Sequence, residues 1–291
     1  MSAQEFDVIV FGATGFTGRL VAEYLQQTYG AEGEVRWAMA GRDLTKLRTV
    51  SSEIGAPMSL PLIAADARDA NALEALAHRA RVIITTVGPY QLYGEPLLAA
   101  CVRAGTDYVD LCGEPHWMQA MIAKYETQAK ESGARIVFSC GFDSIPFDLG
   151  VFFLQQHMQD RFGHPADKVR GRVRKMKGTF SGGTMASMLA SVDAASRDPN
   201  LRRAMADPYA LSPQSIVPQP RGDGVKHDAD IPSWSAPFVM ATINTKNVHR
   251  SNALMNYAYG RDFTYEEMML TGDGADGEKR AKAMLGQSKM Q

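Results

Sequence analysis

A run near the start of the chain, FDVIVFGATGFTGRLVAEYL from Phe6 to Leu25, limits the possible folds more than any other part of the sequence. Val8 to Phe11 is apolar and rich in β-branched residues, the pattern of a strand buried on both faces. Gly12, Gly15 and Gly18 follow at close spacing. Beyond them Phe16, Leu20, Val21, Tyr24 and Leu25 recur with helical period, so the glycines fall in a strand-to-helix turn. Such a turn suits a dinucleotide: the first glycine permits the tight bend, the second lets backbone amides approach a pyrophosphate, and the third lets helix and strand pack closely. The helix N-terminus then faces the phosphate charge. Gly12, Ala13, Thr14, Gly15, Phe16, Thr17 and Gly18 are therefore candidate cofactor-binding residues. The spacing is G-x-x-G-x-x-G, not the commoner G-x-G-x-x-G, and a purely structural glycine turn is the competing explanation.

The next segment, EVRWAMAGRDLTKL, reads as a second strand through Met39, with Asp43 as N-cap of a helix carrying Leu44, Leu47, Val50 and Ile54. An NAD site usually has an acidic residue at this strand end to accept the ribose hydroxyls. Here Arg42 occupies it, and Lys46 lies one turn into the helix. A guanidinium can pair bidentately with a 2′-phosphate, which favours NADP(H). Asp43 has two open roles, helix cap or ribose contact.

Alternation continues with SLPLIAAD, RVIITTVG, DYVDLCGE and ARIVFSCG as further strands, separated by helices over Asn71–Arg79, Glu95–Arg103 and about His116–Ser132. This implies a Rossmann-type, doubly wound parallel sheet over roughly residues 5–145 and a smaller α+β domain after it, the division falling at 145/146. Ligands of such sheets bind at the carboxyl ends of the strands. Asp66, Gly88, Pro89, Tyr90, Tyr93, Cys112, Glu114, Cys140 and Asp143 lie at or just beyond those ends.

Composition excludes several classes. With a formal net charge of -1 over 291 residues, nothing in the whole-chain electrostatics points to nucleic acid. MSAQEF has no basic leader character, and no apolar run approaches the roughly 18 residues of a membrane span. A cytoplasmic location is the default expectation. Cys101, Cys112 and Cys140 form no CxxC pair, which argues against a zinc site or a disulfide framework, so no metal is expected.

The segments GATGFTG, AGRDLTKL, TTVGPYQLYGEPLLAACVRAGTDYVDLCGE and CGFDSIPFDLG resemble the saccharopine dehydrogenase-like oxidoreductases, particularly the trans-acting enoyl reductases. The resemblance extends through SGGTMASML, VHRSNAL and YGRDFTYEE. It implies an NADP-binding Rossmann domain followed by a substrate domain, and reduction of a carbon-carbon double bond in a small-molecule or carrier-bound acyl thioester. Members of the family continue well beyond a segment like MMLTGDG. A saccharopine-type amino-acid dehydrogenase, using Arg172 or Arg250 for carboxylates, and a non-catalytic NADP-binding regulatory protein are the alternatives. Homo-oligomerisation is left open.

In the second half, PFDLGVFFLQQHM reads as a helix and Lys168–Lys177 as a strand whose Arg170, Arg172 and Arg174 face forms a local basic cluster. That face is either a landing surface for an acidic carrier or coenzyme A phosphates, or a solvated strand face. Gly182 and Gly183 precede a helix, and residues 181–188 are expected to line an apolar cleft. Residues 197–237 read as a long loop with short helical pieces. FVMATINTKNV, from Phe238, reads as a strand joining the Val169 strand, and the tail beyond Asp273 as polar with a weak helix near its end.

Hydride delivery from NADPH needs a group to stabilise the developing enolate and an acid to complete the reduction. Tyr90 and Tyr93 are the candidate catalytic donors, with aromatic packing as their structural alternative. Asp110, Glu114 and Asp143 qualify as acids only where burial raises their pKa values.

Overall fold

A computed structural model describes residues 4–177, 181–214, 217–228 and 230–290. The first half alternates as the sequence pattern predicts: β1 (Phe6–Phe11), α1 (Phe16–Tyr29), β2 (Trp37–Gly41), α2 (Leu44–Glu53), β3 (Leu62–Ala64), α3 (Ala70–Arg79), β4 (Ala80–Thr85), α4 (Tyr90–Ala104), β5 (Asp107–Val109), α5 (Pro115–Ser132) and β6 (Ile136–Val137). The six strands form one sheet in the order β3-β2-β1-β4-β5-β6, all pairs parallel. Strand order reverses between β1 and β4, the switch point where such sheets bind ligands.

Local chemistry sets the helix boundaries. The Asp43 carboxylate accepts from the amides of Thr45 (2.9 Å) and Lys46 (3.1 Å) at the start of α2, and Asp69 does the same for α3 through Asn71 and Ala72. Left-handed Gly105 and Gly133 end α4 and α5. On one face of the sheet, Val10 and Met39 pack with Ala22 and Leu25 of α1 and Leu47 and Val50 of α2. Burial of this apolar cluster is the main stabilising contribution on that side.

The chain divides into two compact units, Met1–Gly141 with Phe180–Arg197, and Phe142–Thr179 with Asp198–Gln291. Instead of a single cut at 145/146 the chain crosses between the units three times, after residues 141, 179 and 197, because α7 (Gly182–Arg197) returns to the first unit after α6 (Ile145–Phe162) and β7 (Lys168–Val173) have begun the second. The second unit continues with α8 (Pro199–Ala206), β8 (Lys226–Asp228), β9 (Ser233–Pro237), α9 (Ala241–Leu254), β10 (Thr264–Gly272) and α10 (Gly274–Met290). Its sheet runs β7-β10-β9-β8.

Two expectations for this unit are corrected. The stretch from Phe238 is not a strand: α9 occupies most of it, and the partner of β7 is β10, paired parallel from Thr264↔Lys168 onward. The buried side of α9 carries Asn244, Lys246, Val248, His249 and Asn252, so polar residues mask its helical period while Ile243 and Val248 suggest a strand. In β10 the buried Glu266 and Glu267 hide the apolar pattern in the same way.

The arginine face of β7 is also corrected. Arg172 is buried, donating from Nε to Asp228 (2.8 Å), from Nη2 to Glu266 (2.8 Å) and from Nη1 to its neighbour's carbonyl at Gly171 (2.9 Å). Lys226 closes on the other oxygen of Glu266, and Arg170 pairs with Asp228 and Asp230. Arg170 and Arg172, alternate residues of β7, thus meet acidic residues on its neighbour β10 and at the β8 edge of the sheet. Arg172 is an internal tie of the second sheet and Arg170 is ion-paired at its surface, while Arg174, Lys175 and Lys177 beyond β7 are exposed. Removing one partner of a buried pair leaves an uncompensated charge, so Arg172→Ala should destabilise the second unit by about 3–5 kcal/mol. Arg174→Ala should stay within about 0.5 kcal/mol in the same urea titration.

Candidate functional site

The glycine turn is built by close approach. Gly12 has φ +88°, where an L side chain is strained, and a Cβ there would also meet Val87 Cγ2 at 2.7 Å. At Gly18 a Cβ would lie 2.2 Å from the Gly12 carbonyl oxygen and 2.8 Å from Thr86 Oγ1. Helix α1 therefore sits as near the β1 turn as backbone permits. Thr86 Oγ1 donates to the Gly12 carbonyl (3.2 Å), and Gly15 N donates to it at 2.9 Å, so that oxygen is fully engaged and turned inward. Gly15 is the N-cap of α1 and supplies no side-chain cap, leaving the first-turn amides of α1 to an external acceptor. Thr14, Gly15 and Phe16 are exposed there, while Ala13 is buried beneath. These residues fit a dinucleotide pyrophosphate: bare amides, a positive helix end and no side chain in the way.

Ala65 N bonds Gly41 O (3.0 Å), so the chain leaves β2 and β3 side by side. Arg42 and Lys46 are exposed at that point, and among the described residues no hydrogen bond is recorded for the Arg42 guanidinium. Asp43 caps α2 through Oδ1, the helix role of its two open ones. Asp66 turns onto Arg68, accepting from its backbone N (2.9 Å) and from Nε (3.2 Å) and Nη2 (3.4 Å). Those bonds, with the charge of Arg42 nearby, hold the Asp66 carboxyl below its ordinary range. Nothing in the sequence pattern singled out Arg68.

On the far side of the switch point the first turn of α4 is capped by a distant side chain. Glu114, fully buried, accepts from Tyr90 N and Gln91 N, each at 2.8 Å. Gln91 extends this by contacting His116 (3.4 Å) and Ser191 of α7 (3.4 Å). A Cβ on Gly88 would come within 3.5 Å of Ser187 Oγ, so α7 lies along the Gly88–Pro89 turn and carries Met185, Leu189 and Val192 as an exposed apolar stripe.

The two candidate tyrosines differ sharply. Tyr90 is 5% exposed; its hydroxyl donates to Thr85 O (3.2 Å) and accepts from Leu111 N (3.1 Å), tying β4 to the β5 exit, and burial pushes its pKa well up. Tyr93 is 38% exposed; its amide donates to Pro89 O (3.1 Å), its hydroxyl has no hydrogen-bond partner among the described residues, and it lies close enough to Arg68 to interact electrostatically. Beneath them Asp110, wholly buried, accepts from Cys112 N (2.9 Å), Ser139 N (2.9 Å) and Tyr108 Oη (3.0 Å). Burial outweighs those bonds and raises its pKa to about 7. Cys112 and Cys101 are buried free thiols, and burial lifts Cys140 to about 11, so none is a ready nucleophile. Asp143 belongs to the second unit; burial raises its pKa too, and its carbonyl accepts from Asn244, which also donates to Glu267 (2.8 Å).

Fold and turn together define a dinucleotide-binding Rossmann protein. Residues 8–137 match the saccharopine dehydrogenase NADP binding domain. Over 288 residues the chain is 45% identical to a Mycobacterium tuberculosis protein named as a trans-acting enoyl reductase, covering 92% of this chain and 66% of that one. It is 42% identical to the trans-acting enoyl reductase of Mycobacterium leprae (92% and 66%), and 41% identical to that of Mycobacterium bovis (97% and 70%). Among solved structures, apo saccharopine dehydrogenase (L-Glu forming) from Saccharomyces cerevisiae overlaps 58% of this chain and 34% of its own, at 18% identity and a TM-score of 0.45. The chain belongs to the trans-acting enoyl reductase family of saccharopine dehydrogenase-like proteins and carries its NADP-binding domain. It spans 66% of the length of the M. tuberculosis and M. leprae relatives. Among the described residues no helix is long and apolar enough to cross a membrane.

Asp110 makes a checkable contribution. A carboxyl whose folded pKa lies above its unfolded value binds its proton more tightly when folded, so that stability is full below about pH 4 and is lost as pH rises toward about 7. Asp110→Asn should flatten this part of the stability profile in thermal unfolding at a series of pH values. An unchanged slope would remove Asp110 as its source.

Proposed function

We propose that the protein is an NADP(H)-dependent oxidoreductase that reduces a carbon-carbon double bond of an acyl thioester. The observation that carries the cofactor half is the exposed Arg42 at the end of β2, beside the uncapped α1 N-terminus, while the neighbouring Asp43 is consumed as a helix cap. A ribose bearing a 2′-phosphate meets a cation there. The relatives' names describe enoyl reduction in trans.

When bound, the cofactor supplies a hydride. The amides of α1 hold its pyrophosphate, Arg42 and Lys46 its 2′-phosphate, and Gly88–Pro89 form the wall at the switch point. Tyr93 is the residue proposed to donate a hydrogen bond to the enoyl thioester oxygen as charge develops there. Tyr90 instead orders that wall, through its bonds to Thr85 and Leu111. The amino-acid dehydrogenase alternative loses its cation at Arg172, which is bound internally to Asp228 and Glu266.

Arg42→Ala should weaken NADPH about ten- to a hundredfold and leave NADH unchanged, since it deletes one charge-assisted phosphate contact. Gly15→Val should weaken both cofactors by placing a side chain over the amides. Equal losses for Arg42→Ala in both titrations would refute the 2′-phosphate assignment. Tyr93→Phe should lower kcat for an enoyl thioester by about a hundredfold or more with NADPH affinity intact. Tyr90→Phe should chiefly lower thermal stability. NADPH consumption with saccharopine but not with an enoyl thioester would overturn the substrate class.

A further inference from the structure

Beyond β3 the chain turns tightly between Asp66 and Asp69, closed by Asp69 N to Asp66 O at 3.0 Å, before Asp69 caps α3. The turn fixes where the backbone of Arg68 stands, on the same rim as Arg42. Its guanidinium lies back on Asp66 through two bonds and its side chain is 73% exposed. Arg42 and Lys46 approach from β2 and α2, and Arg68 approaches from the β3 side. Asp66, 36% exposed, is the one carboxylate that any of these three cations is paired with among the described residues.

We propose that Arg68 is a second, specificity-determining reader of the 2′-phosphate, and that Asp66 holds it as an exchangeable counter-ion until that phosphate arrives. This rests on the NADP(H) reading of the site. An exposed pair two residues apart in sequence adds little stability and exchanges readily. A phosphate offers more charge and several acceptor oxygens in a geometry that matches a guanidinium fork. The exchange gives Asp66 a role opposite to that of the ribose-binding acid of an NAD site: it does not grip the ligand, it competes with the phosphate for Arg68. A purely local role, in which Arg68 and Asp66 only brace the turn before α3, makes a different prediction for every variant below.

Calorimetric titration of the whole chain with 2′,5′-ADP and with 5′-AMP separates the possibilities, because the two probes differ only in the 2′-phosphate. Arg68→Ala should weaken 2′,5′-ADP about tenfold and leave 5′-AMP unchanged. Asp66→Asn should strengthen 2′,5′-ADP about two- to fivefold, and that gain should vanish in the Asp66→Asn, Arg68→Ala double variant. The salt dependence of 2′,5′-ADP binding should also become shallower in Arg68→Ala. If wild-type protein binds both probes equally, the NADP(H) reading itself fails. If wild type prefers 2′,5′-ADP and Arg42→Ala removes the preference while Arg68→Ala does not, the NADP(H) reading stands and the role of Arg68 is overturned. Weaker 2′,5′-ADP binding by Asp66→Asn would overturn the competition between Asp66 and the phosphate.

Discussion

The approach of Gly18 to the Gly12 carbonyl governs the placement of everything functional in the first unit. A side chain at residue 18 would stand 2.2 Å from that oxygen, so only glycine lets α1 begin so close to the sheet. Because α1 starts there, its unshared amides open at the switch point between β1 and β4. A methyl group's displacement of the helix would move the anion-binding end away from the rim where Arg42 and Arg68 emerge. The packing of Ala22 and Leu25 on Val10 then holds the helix in this position through an apolar contact, independent of any ligand.

A second constraint acts from the opposite side of the switch point. Glu114 neutralises the start of α4 by taking two of its amides, and Tyr90 shares its hydroxyl between β4 and the segment after β5. One helix start is thus closed by the protein and the other left open. This asymmetry separates the α1 end of the site from the end where Gly88 and Gln91 lie. Two helix ends of the same polarity would otherwise compete for the same anion.

Much of the first unit could be read from the chain alone because its signals are local. β-Branched runs, close-spaced glycines and an Asp before a helical pattern each act within a few residues, and Asp43, Gly12 and Gly18 behave accordingly. The second unit depends on partners far apart in sequence. Arg172 finds Glu266 across 94 residues, and Asn244 on α9 finds Glu267 on β10. Polar residues buried against one another give no apolar period, so α9 reads as a strand and β10 passes unnoticed. The same holds at the candidate site: the burial of Tyr90 follows from Leu111 and Glu114, which only the fold brings next to it, and Arg68 becomes notable only when β2 and β3 are seen to end together.

The hold on β6 has a consequence for motion. This edge strand has two residues, and little of its attachment comes from strand pairing. Asp110 supplies the rest, with its amide on Val137 O, its carbonyl on Cys140 N and its carboxyl on Ser139 N. The edge of the sheet is therefore fastened at one buried residue, and the amides of Ser139 and Cys140 should exchange with solvent as a unit, at a rate set by how often that fastening opens. Local opening there would loosen Cys112 and Glu114 as well, since Ser139 Oγ bonds the Cys112 carbonyl at 2.6 Å. Opening of the sheet edge and loosening of the α4 helix start are thereby coupled through one set of bonds.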